Sequence, residues 1–101
     1  MKLLIITAIE EFEKEIKKIL KASGVKVFSY QKLNGFKDLS EETFESNWFA
    51  SDMNENKSLM FYAFTPKENV DKVFEKIDLF NSAQSTMSNI HIALINVERS
   101  N

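Results

Sequence analysis

Residues 58–80 read SLMFYAFTPKENVDKVFEKIDLF, and the change of period in the middle of this stretch decides the fold. Ser58–Phe64 is apolar on both faces and rich in β formers, as a strand inside a sheet requires. At Thr65 the pattern turns helical. Thr65 is placed as an N-cap, Pro66 as the first helical residue, and Glu68 as the return partner of a T-x-x-E capping box. Val70, Val73, Phe74, Ile77 and Phe80 then recur on one stripe.

The same join of strand to helix stands near the start of the chain. Lys2–Ile9, KLLIITAI, is a nearly unbroken β-branched run. In the EEFEKEIKKILKASG that follows, Phe12, Ile16, Ile19 and Leu20 share one helical face. Acids Glu10, Glu11 and Glu13 open this helix, lysines Lys17, Lys18 and Lys21 come later, and Gly24 stops it. Val25–Leu33 reads as a second strand, Asn81–Asn89 as a polar loop and Ile90–Val97 as a fourth strand.

The order is therefore βαββαβ. Right-handed crossovers put both helices on one face of a four-stranded antiparallel sheet, with strands one and three central. This is an α+β, ferredoxin-like sandwich, expected as a single domain over residues 1–101. The other face of the sheet would expose aromatics from LMFYAF and aliphatics from KLLIITAI, a patch that argues for association.

Between strands two and three lies a long loop, residues 34–57, without a sustained period. Structureless connections longer than roughly 12–15 residues are uncommon in compact domains and are usually functional or disordered. Trp48 and Phe49 are adjacent aromatics between polar flanks, with Phe44 upstream. They either fold back onto the body or anchor a partner, as aromatics do at binding hot spots. Glu41, Glu42, Glu45, Asp52 and Glu55 lack the alternate spacing of a calcium loop and read as a solvated acidic stretch.

Composition narrows the function classes. Net charge is −2, and acids and lysines are interspersed, without the clustered basic charge that nucleic acid requires. With no Cys, disulfides and thiolate zinc sites are excluded. No signal peptide or long apolar span is visible, so a cytoplasmic protein is expected. His91 is the only histidine. It is either a sheet residue or a metal ligand, with Met53, Met60 or Met87 as soft donors. Nothing marks an activated serine beside it, so no enzyme is expected.

Four places resemble the nitrogen-regulatory PII proteins and their PII-like relatives: MKLLIITAIEEFEKEIKKIL, GVKVFSYQKLNGF, the loop after Gly35–Phe36, and FTPKENVDKVFEKI. The resemblance implies a homotrimer with sheet faces inward, a small effector in clefts between subunits, and a T-loop reaching a transporter or enzyme. It implies Ser29, Gly35, Phe36, Lys37 and Arg99 as effector-binding residues, and Phe44, Trp48 and Phe49 as partner contacts. The usual effector is an adenine nucleotide whose phosphates rest on a Gly- and Lys-bearing loop before strand four. Here that loop reads NSAQSTMSNIH, with neither, so the cofactor stays open. The alternative is a metal-responsive trimer akin to CutA-type proteins and tied to heavy-metal efflux, using His91 and Met87.

Overall fold

The computed structural model describes residues 1–36 and 55–101, the side chains of 55 and 56 excepted. Strand β1 spans Lys2–Ile9 and leads through a 3-10 turn, Glu10–Phe12, into helix α1, Glu13–Ala22. Strand β2 is Ser29–Phe36 and β3 is Glu55–Thr65, followed by helix α2, Lys67–Ala83, and β4, His91–Asn96. The four strands form one antiparallel sheet in the order β2-β3-β1-β4. The expected architecture stands, with β1 and β3 central.

One side of the sheet carries the core. Leu4, Ile6 and Ala8 of β1 and Leu59, Phe61 and Ala63 of β3 pack beneath Ile16, Ile19 and Leu20 of α1 and Val70, Val73 and Ile77 of α2. Phe61 is wholly buried, with Phe28 and Tyr30 against it at ring separations of 5.8 and 5.0 Å. Phe12 meets Phe80 edge-on at 5.0 Å and ties the start of α1 to the end of α2.

Helix α1 ends as its sequence requires. Gly24 adopts φ +85°, its N–H donates to Lys21 O, and the Val25 N–H donates to Leu20 O, a Schellman closure. That closure moves β2. Val25 is held against the helix and buried, so pairing begins at Ser29 rather than Val25 and runs on to Phe36. Asn34 pairs with Lys57 and Gly35 with Asn56, so the flanks of the expected loop 34–57 belong to the sheet.

The capping box does not form. Thr65 is the last residue of β3, paired with Lys2 and buried, so the helix cap falls one residue later, on Pro66. Pro66 has ψ 155°, and α2 starts at Lys67 without a side-chain cap. The Thr65 hydroxyl instead accepts from Asn69 Nδ2 at 3.3 Å, and the same nitrogen donates to Gly24 O at 3.4 Å. At its other end α2 runs through Ala83, taking Asn81–Ala83 out of the expected loop.

Candidate functional site

Antiparallel partners share a face of the sheet, and the register therefore draws the surface that the helices leave open. Leu3 stands between Phe64 and Ile95. Ile5 stands between Tyr62 and Ala93, and Ser29 pairs with Tyr62 on its far side. Thr7 stands between Met60 and His91, and Gln31 pairs with Met60. Phe64 is 58% exposed, Ile95 44% and Tyr62 38%, so the face is apolar and only partly covered. Leu3, Ile5, Gln31, Met60, Tyr62 and Phe64 line an open hollow of about 400 Å³ in it. Its apolar floor with an amide and a phenol on the rim suits either a packed side chain or a small ligand.

Strand parity places Ser29, which is exposed, and Gly35, which is buried, on this side of the sheet. Phe36 has the opposite parity and is 64% exposed, so it does not join them. Arg99 is exposed beyond β4. Lys37, Phe44, Trp48, Phe49 and Met53 lie outside the described residues. A second hollow of about 350 Å³ sits where β2 and β3 leave the helices, lined by Glu10, Lys32, Leu33, Asn34 and Lys57. Lys32 Nζ is 3.8 Å from Glu10 there.

His91 is half-buried at the start of β4, and burial holds its imidazole below the ordinary histidine value. Met87 is almost fully exposed. Among the described residues no group of three or more His, Cys, Asp or Glu could hold a metal ion. Nor is any helix among them long and apolar enough to cross a membrane.

The connection between α2 and β4 is closed by two side-chain amides. Asn81 Nδ2 donates to Ile90 O at 2.9 Å, and the Ile90 N–H donates to Asn81 Oδ1 at 2.8 Å. Gln84 Oε1 accepts from the Thr86 N–H at 2.7 Å and from the Thr86 hydroxyl. Gln84 Nε2 lies within donating distance of Thr86 O, Ser88 O and Asn89 Oδ1. The Ser88 N–H donates to Thr86 Oγ1 at 3.2 Å. The sequence showed this stretch only as a polar loop. The one local signal was a carboxamide at each of Asn81 and Gln84, beside the helix end.

No protein-family profile matches the sequence, and no curated protein does. Solved structures do share the fold. CPII from Thiomonas intermedia K12, a nitrogen regulatory PII-like protein bound to ADP, AMP and bicarbonate, aligns with a TM-score of 0.63 at 21% identity, over 98% of this chain and 93% of that one. CPII bound to ADP and bicarbonate aligns at 0.61 and 22% identity, over 97% and 88%. A DUF3240 family protein from Shewanella baltica OS155 aligns at 0.66 and 13% identity, over 99% and 92%. At these identities the likeness establishes a PII-like, ferredoxin-like fold.

Proposed function

We propose that this chain is a PII-like regulator. Three copies pack their open sheet faces together, a small effector binds in the clefts between them, and the connection between β2 and β3 contacts a transporter or enzyme in the cytoplasm. In this reading the protein signals and does not catalyse. One observation carries the proposal: the helix-free face of the sheet is apolar from Leu3 across to Phe64 and Ile95, yet these side chains remain partly exposed. Burying such a face offsets a standing cost of roughly 25 cal/mol per Å² of apolar surface. The PII-like CPII binds ADP, AMP and bicarbonate, which supports a small effector as the input.

Ser29 and Gly35 lie on the helix-free side of β2 by strand parity, and in this reading they contact the effector together with Phe36, Lys37 and Arg99. Phe44, Trp48 and Phe49 are its partner contacts. Light scattering on the purified chain tests it. Three copies of the 11.7 kDa chain weigh about 35 kDa, and a strict monomer at micromolar concentration would sink the proposal.

A further inference from the structure

A phosphate is held where backbone N–H groups converge on it with a cation beside them, which is what glycine-rich nests provide. In the PII proteins that the sequence resembles, the connection before the last strand does this for a nucleotide. In this chain three N–H groups of that connection, at alternate positions, already have side-chain acceptors. Thr86 N–H is bonded to Gln84 Oε1, Ser88 N–H to Thr86 Oγ1, and Ile90 N–H to Asn81 Oδ1. Gln84 also binds the carbonyls of Thr86 and Ser88 through its amide nitrogen, which turns both ends of the side chain inward. Residues 81–90 contain no Gly, Lys or Arg. A phosphate seated on the Thr86, Ser88 or Ile90 amide would have to break these bonds and would meet no positive side chain within the connection.

We infer that residues 81–90 form a clasp that denies phosphate a seat. Asn81 and Gln84 are then specificity-determining residues, and the effector of the proposed regulator belongs to the class of small molecules without phosphate groups. This rests on the reading of the chain as an effector-binding regulator, but the clasp can be tested without it.

The experiment is a titration of the ¹⁵N-labelled full chain, followed by NMR, with sodium pyrophosphate, ADP and adenosine. The amide signals of Thr86, Ser88 and Ile90 stay unmoved by pyrophosphate and ADP, and ADP binds no more tightly than adenosine. Movement of any of these amides by pyrophosphate or ADP with a dissociation constant below about 1 mM overturns the inference. Hydrogen exchange gives a second arm. Gln84→Ala speeds exchange of the Thr86 amide by about tenfold or more, because its acceptor is gone. An unchanged rate would show that Gln84 does not close the clasp. Light scattering on the same sample reads the oligomer separately. A monomer that ignores pyrophosphate defeats the proposed function and leaves the clasp standing.

Discussion

Lys17 lies over the ring of Tyr30, with its ammonium 4.4 Å from the ring centre and 3.1 Å from the phenolic oxygen. Glu13, one turn back along α1, accepts from the same ammonium at 2.9 Å. The ring itself stacks on Phe61 at 5.0 Å and 20°. An edge strand with little buried side-chain surface is thus fastened to helix α1 through one aromatic.

The stacking outweighs the charges in this joint. Glu13 and Lys17 each keep about a third of their side-chain surface in solvent, and such i,i+4 pairs contribute little. Tyr30→Phe should leave thermal stability nearly unchanged, whereas Tyr30→Ala should cost about 1–2 kcal/mol. That corresponds to a fall of roughly 4–16 °C in Tm by calorimetry. Equal losses in both variants would assign the joint to the hydroxyl and not to the ring.

Phe61→Ala removes the centre of the core. The residue is wholly buried under both helices, so the cavity and lost transfer energy should cost about 3–5 kcal/mol. Urea unfolding measures it as a lower midpoint at unchanged slope.

Phe64→Glu addresses the opposite face. Phe64 is 58% exposed beside Leu3, so a carboxylate there costs the isolated chain little and cannot be buried against another copy. Scattering mass should fall to that of the 11.7 kDa chain, with circular dichroism unchanged. Retention of the wild-type mass would remove this face from the interface.

Acid should weaken the fold through His91. Burial holds the folded imidazole below the ordinary histidine value, so the unfolded chain binds the proton more readily. This contribution to stability is complete above the unfolded value and is lost as pH falls through the depressed folded value. Glu13 acts in the same direction at lower pH, because the hydrogen bond from Lys17 depresses its carboxyl. Denaturant titrations at neutral and mildly acidic pH should differ more for wild type than for His91→Gln.

Gly24→Ala tests the end of α1. At φ +85° an L side chain is strained by about 1–2 kcal/mol, and the new Cβ would meet Asn69 Oδ1 at 3.2 Å. Thermal unfolding should register a loss of that order.

The sheet was legible in the sequence because KLLIITAI and SLMFYAF are short runs rich in β formers, apolar at both parities and each followed by a helical stripe. The helices were legible from their stripes. The errors lie where a tertiary bond overrode a local signal. Thr65 has the right neighbours for a cap, but the ladder with Lys2 extends one residue further than the motif allows. Val25 has β propensity, but the end of α1 binds its N–H. At the candidate site, strand parity puts Ser29 and Gly35 on the helix-free face and Phe36 on the other, a division set by where β2 begins to pair. The clasp was not legible. Asn81 and Ile90 are nine positions apart, and no periodicity records that an amide will pair with that backbone.

Strand β1 lies between β3 and β4, both of which follow it in the chain. During synthesis it therefore leaves the ribosome as an apolar ribbon with both hydrogen-bonding edges bare. One edge waits for β3 and the other for β4, the last strand in the sequence. Only α1, made immediately afterwards, can cover part of it in the interval. Until residue 96 is available the sheet has no complete centre, and the bare edges of β1 are the part of the nascent chain most open to pairing with another molecule.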